Sequence, residues 1–183
     1  MTGCVNNRPV HYYTLASAQP HAGTSQPGGP ALLVGPIAAS ESLQDLRIRY
    51  RAGANEVGTY EYHQWTDRPS VMVRDGLIQA LRSTGKFQRV QVASSSATGD
   101  YILRGRLHEF EEVDNSAIKT RISLHLDLVD EKSNRIVLDR QFEREEPANG
   151  KSIRDVVASM DRNLAQVAGQ AAAAVDGFLG SQR

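Results

Sequence analysis

Apolar and polar residues alternate most cleanly between positions 101 and 147. In AIKTRISLHLDLVD, Ile118, Ile122, Leu124, Leu126 and Leu128 share one parity, and Lys119, Arg121, His125 and Asp127 share the other. A period of two predicts a strand with one dry and one wet side. YILRGRLHEFEEV precedes this segment and RIVLDRQFERE follows it, across the short polar connections DNS and DEKSN. The economical reading is a three-stranded antiparallel meander. The same alternation runs through LQDLRIRYR, with Leu46, Ile48 and Tyr50 on one side and Arg47, Arg49 and Arg51 on the other. AGAN then offers turn chemistry and EVGTYEYHQW returns as a second strand. HYYTL, ALLVGPI and KFQRVQVA carry the β-favouring composition of three further strands.

Two segments change period. Val73, Leu77 and Leu81 recur at four-residue steps after Asp67, Arg68 and Pro69, a helix start, and Gly85 is placed to stop that helix. Ile153, Val157, Met160, Leu164, Val167, Ala171 and Phe178 form a narrow apolar stripe on a long closing helix. Ser152 and Asp155 resemble a capping box at its start. Strands, a helix, more strands and a closing helix predict an α+β fold: a mostly antiparallel sheet with two helices packed on one face. The Gly-, Pro-, Ser- and Gln-rich stretch 17–30 reads as a flexible loop inside this domain. Residues 1–10 read as a tether and 11–183 as a single domain.

Composition narrows the function. Lys plus Arg and Asp plus Glu both total 21 in 183 residues, so no global charge draws the chain to nucleic acid or to an anionic surface. No apolar run is long enough to span a bilayer as a helix. One cysteine, Cys4, excludes an internal disulfide and a cysteine zinc cluster. No nucleophile elbow, phosphate loop, dinucleotide glycine fingerprint or HExxH is present. The five histidines, His11, His21, His63, His108 and His125, have no partner at ligand spacing. The expectation is therefore no catalytic residue, no cofactor and no metal site. The carboxylates of LHEFEEVD and FEREEP alternate with arginines and read as solvated cross-strand pairs. The arginine row 47, 49, 51 reads as a solvated face rather than a phosphate-binding edge.

Cys4 follows two small residues, Thr2 and Gly3. Small residues suit signal-peptidase cleavage, and TGC resembles the end of a bacterial lipobox, with Met1 where a leucine is usual. No basic and then apolar leader follows Met1. The motif alone leaves two readings, a lipid attachment point and a stray cysteine in a terminus.

A cysteine after small residues, a short polar spacer, YYTL, LLVGPI and LRIRYRAGANEVGTYEYHQWTDRP with its Trp65 together resemble the ABC-type transport auxiliary lipoprotein family, the PqiC-like group. The resemblance continues as pattern through the meander and the last helix. It implies a periplasmic lipoprotein anchored to the outer membrane of a Gram-negative envelope, with Cys4 as the lipid attachment. It also implies a non-catalytic docking role beside a membrane-tethered MCE-domain protein, the partner in an ABC transport system for lipids or other hydrophobic molecules. Val5 after the cysteine, rather than Asp, agrees with outer-membrane sorting. A homo-oligomeric ring would match the ring of an MCE partner. The resemblance transfers no partner-contacting residue, and Trp65 reads as a packing residue. Two rivals stay open: a carrier holding an acyl chain between sheet and helix, and a periplasmic enzyme.

Overall fold

In the computed structural model, residues 8–20, 23 and 25–181 are described. Eight strands and two helices follow in the order β1 (His11–Tyr13), β2 (Ala31–Ala39), β3 (Arg47–Arg51), β4 (Val57–Trp65), α1 (Pro69–Ser83), β5 (Arg89–Val92), β6 (Tyr101–Asp114), β7 (Ile118–Asp130), β8 (Arg135–Pro147) and α2 (Ile153–Gly180). Short 3-10 turns at Ala16–Ala18 and Glu41–Leu43 sit between them. The domain is α+β.

The strands form one mixed sheet around β6. Along one edge β6 pairs in parallel with β2, from Leu32 opposite Tyr101 to Ala39 opposite Leu107, and then with β3 at Tyr50 and Arg51. Along the other edge it pairs with β7 in antiparallel fashion over its whole length, and β7 pairs likewise with β8. The meander and the β3–β4 hairpin are antiparallel, as their sequences predict. β1 on β4, β5 on β2, and β2 and β3 on β6 are parallel instead. Side-chain alternation has the same period in either pairing, so the sequence pattern does not distinguish them.

The helices close one apolar core with the sheet. Val73, Leu77 and Leu81 of α1 join Met160, Leu164, Val167 and Ala171 of α2, together with Leu103, Phe110, Ile122, Leu124 and Leu126 of the sheet. Each such side chain contributes about 1.5–3 kcal/mol by leaving water. Pro69 occupies the first position of α1, and Arg68, not Asp67, is its N-cap residue. Gly85 has φ 67°, the left-handed conformation that ends a helix. The Ser152–Asp155 capping box is formed at the start of α2, and its hydrogen bonds hold the Asp155 carboxyl below the usual range. Over 28 residues α2 is about 42 Å long. Polar ties fix it across the meander: Asn163 Nδ2 donates to the carbonyls of Thr120 (3.0 Å) and Arg144 (3.2 Å), and Ser159 Oγ donates to that of Glu146 (2.8 Å).

The described part of the 17–30 segment is tied at several points. Ser17 N–H donates to Asp161 of α2, Ala18 is buried, and Gln26 N–H donates to the Phe87 carbonyl. Arg49 and Arg51 depart from the solvated row that their alternation suggests, because β6 delivers a buried carboxylate beneath them.

Gly105 sits where β6 and β7 approach closely: a Cβ there would lie 2.1 Å from the His125 carbonyl oxygen and 2.7 Å from Leu126 Cδ2. Gly105→Ala should therefore cost roughly 1–3 kcal/mol or more through overpacking, read as a lowered urea midpoint with an unchanged slope.

Candidate functional site

Cys4, the predicted lipid attachment, and His21 lie outside the described residues. The described chain begins at Arg8 and leads directly into β1, which lies at one end of the strand order. The parallel register places His11 beside His63 and Tyr12 beside Gln64. On one face the His11 and His63 rings stack at 5.5 Å, and the Tyr13 hydroxyl lies 3.0 Å from His63 Nδ1. Burial, and then the neighbouring His11, hold the His63 pKa below its ordinary value. On the other face the Arg8 guanidinium lies 5.8 Å from the centre of the Tyr62 ring. Val10 and Tyr12 remain 39% and 62% exposed. Trp65 is buried edge-on against Phe110, as a packing residue should be.

Two consecutive glutamates of β6 point to opposite faces and are both buried. Glu111 is only 1% exposed and meets Arg49 Nε at 2.8 Å and Arg51 Nε at 2.5 Å. Two guanidinium groups on β3 thus compensate a single carboxylate that the sheet has taken out of water. Glu112 accepts a 2.8 Å hydrogen bond from the Tyr60 hydroxyl. Burial raises the Glu112 pKa, and burial together with the Glu112 bond raises that of Tyr60. The residues lining the larger clefts do not include this pair. The burial of both acids corrects the reading of the LHEFEEVD carboxylates as solvated cross-strand pairs; two adjacent carboxylates interrupting an alternating strand were the local feature that departs from that reading. Their partners, 52 to 62 residues away, carried no signal.

The rest of the outer face is a lattice of cross-strand charges. Arg121 bridges Glu109 and Glu145, Lys119 also reaches Glu145, and Arg104 approaches Asp127 at 3.9 Å. Arg121 holds the Glu145 carboxyl below its usual range, and Arg162 and Arg144 do the same for Glu146. His125 Nε2 lies 2.8 Å from Asp139 and 3.8 Å from Asp127. These three residues bring their possible ligand atoms within 4.8 Å of one another. The Arg104 guanidinium already supplies positive charge beside Asp127, which makes a hydrogen-bonded pair the simpler account. One cleft of about 620 Å³ is lined by Asp100, Asp130, Glu131 and Lys132 along with Leu179. Among the described residues, no helix is long and apolar enough to cross a membrane.

The family model for the ABC-type transport auxiliary lipoprotein component matches residues 13–172. The chain belongs to that family. The match runs from Tyr13, the last residue of β1, through most of α2, so it covers most of the sheet and its helices rather than a local motif. No curated protein matches the chain. Among solved structures, a Xanthomonas campestris protein of the family DUF330 is 23% identical, with a TM-score of 0.77 over 96% of this chain and 100% of that one. A second is 17% identical, with a TM-score of 0.74 over 92% and 99% of the two chains. The PelC dodecamer from Paraburkholderia phytofirmans is 14% identical, with a TM-score of 0.51 over 81% and 93%. At these identities the likeness concerns the fold.

Two substitutions separate the roles of the buried acids. Glu111→Ala leaves two arginines facing each other and should cost about 2–3 kcal/mol, at or below the range for breaking a buried pair because both guanidiniums keep some water. Chemical denaturation checks this. For Glu112 the folded pKa lies above the ordinary 4.5. Its contribution to stability is therefore complete below about pH 4.5 and is lost as the pH rises through the elevated value. Glu112→Gln keeps an acceptor for Tyr60 without the charge. The variant should melt higher than the parent at pH 7–8, with the difference vanishing near pH 4 in a thermal unfolding series.

Proposed function

We propose that this chain is an outer-membrane-anchored periplasmic lipoprotein, fastened through acylated Cys4, that docks the MCE-domain protein of an ABC transport system for lipids or other hydrophobic molecules. The observation that carries the reading is the family match over residues 13–172. It joins the lipobox-like TGC at positions 2–4 to a domain that the same family describes. The role is grip rather than bond-making. The outer sheet face is occupied by mutually paired charges, and the buried Glu112–Tyr60 pair is spent on its own hydrogen bond. A ring of copies suited to an MCE ring belongs to the same reading; the PelC structure of similar fold is a dodecamer.

The rival lipid carrier has less support. A carrier needs an apolar cavity large enough to bury most of an acyl chain. Here the space between helices and sheet is filled by side chains such as Leu164, Met160, Leu107 and Phe110. The cleft of about 620 Å³ is instead rimmed by three carboxylates and a lysine.

Two measurements test the proposal. Protein made in its host with its full leader should carry acyl chains on Cys4 by mass spectrometry and sediment with the outer membrane, and Cys4→Ala should release it. The purified, folded chain should capture the neighbouring MCE-domain protein at micromolar concentrations. An unacylated Cys4 removes the anchor, and a failed capture removes the partner.

A further inference from the structure

The exposed residues around β1 lie at the end of the domain that Cys4 must reach. Only four peptide steps separate Cys4 from Arg8, the first described residue. Fully extended, they span at most about 14 Å, roughly half the thickness of a bilayer's hydrocarbon core. The tether therefore keeps Arg8 within about 14 Å of the sulfur, a reach that lets the β1 edge meet a headgroup layer roughly 5–8 Å deep.

The side chains found there suit that location. Val10 and Tyr12 are among the largest exposed apolar side chains of the described domain. Tyr12 shares a face with Gln64, and Tyr62 lies two residues earlier on the same strand. The Arg8 guanidinium lies over the Tyr62 ring on that side. Tyrosine places an apolar ring and a polar tip at the boundary between hydrocarbon and water. Arginine binds phosphate oxygens through its planar fork. Arg47 of β3, opposite Gln64, is tied to Asp45 at 2.5 Å, and the Tyr62 hydroxyl hydrogen-bonds Glu61, so charges of both signs lie beside the tyrosines.

Resting on the lipoprotein reading above, we propose that the β1–β4 edge is a membrane-docking surface on which Arg8, Val10, Tyr12 and Tyr62 lie in the phospholipid headgroup layer. The acyl chains at Cys4 hold the protein at the bilayer. This surface fixes its orientation, so that the sheet stands on its β1 edge rather than swinging freely on the tether.

The test uses the full chain and its single thiol, so it does not depend on acylation in the host. Cys4 is coupled to a maleimide-headgroup phospholipid in vesicles of phosphatidylethanolamine and phosphatidylglycerol that also contain a headgroup-nitroxide phospholipid. Tryptophan is placed in turn at the docking surface (Tyr12→Trp) and at two exposed apolar positions on other edges, Ile136→Trp on β8 and Val92→Trp on β5. The buried Trp65 gives a background common to all three. The docking surface predicts several-fold stronger nitroxide quenching at position 12 than at 136 or 92. It also predicts that adding Val10→Ser and Tyr62→Ser lowers quenching at 12 toward the level at 136. Equal quenching at the three positions, or quenching at 12 that is indifferent to the two serines, overturns the docking surface. Neither result alters the mass-spectrometric reading of Cys4, so the anchor and the docking surface fail separately.

Discussion

A strand in the middle of a sheet has to pair its amide and carbonyl groups on both edges, because unpaired groups there have no water to turn to. β6 meets this demand with three partners: β7 along all of one edge, and β2 followed by β3 along the other. Its 14 residues are what allow two separate strands to share one side. Where β2 leaves and β3 arrives, a register shift at His108 changes which parity faces the core. Before the shift Leu103 and Leu107 fill the core; after it Phe110 and Glu112 take that side, and Glu111 turns outward beneath β3. The position of both buried glutamates follows from that single extra residue.

The two acids then receive different solutions to the same problem. A carboxylate removed from water needs either positive charge or a proton. Glu111 has Arg49 and Arg51, which reach over from β3 while their outer parts keep some water. Glu112 faces the side occupied by tyrosines and helices, where its bonded partner is the neutral Tyr60 hydroxyl, so burial raises its pKa instead. Acidification and alkalinisation therefore strain different parts of the domain. Low pH weakens the lowered carboxylates Glu145 and Glu146 on β8, while rising pH charges Glu112 next to the core.

The meander, the hairpin, both helices and the Ser152–Asp155 cap were legible because each is written in local periodicity or in a few adjacent residues. The parallel joins of β1, β2 and β5 were not, since pairing direction depends on partners far along the chain. The arginine row shows the same limit at the level of side chains. Alternation placed Arg49 and Arg51 on one face correctly, but only the β3–β6 register reveals that the face contains Glu111. Trp65 was legible as packing from its place at the end of a strand, and it packs edge-on against Phe110. The exposed surface at Arg8, Val10, Tyr12 and Tyr62 had no sequence signature, because it needs β1 laid parallel on β4 before those residues become neighbours.

That parallel join also sets the direction of the whole molecule. From β1 the strands run through β4, β3, β6 and β7 to β8, so β1 and β8 are opposite margins of the sheet. Five interstrand steps at about 4.8 Å separate them by about 24 Å. β8 is 13 residues long and pairs only with β7 among the described residues. Such a margin would recruit stray strands were it apolar. Asp139, Arg140, Glu143 and Glu145 along it are charged and exposed, which discourages casual pairing while leaving hydrogen-bonding groups in place. A short aromatic margin at one end and a long charged one at the other give the domain two chemically distinct edges. The four peptide steps after Cys4 decide which of them is nearest the sulfur.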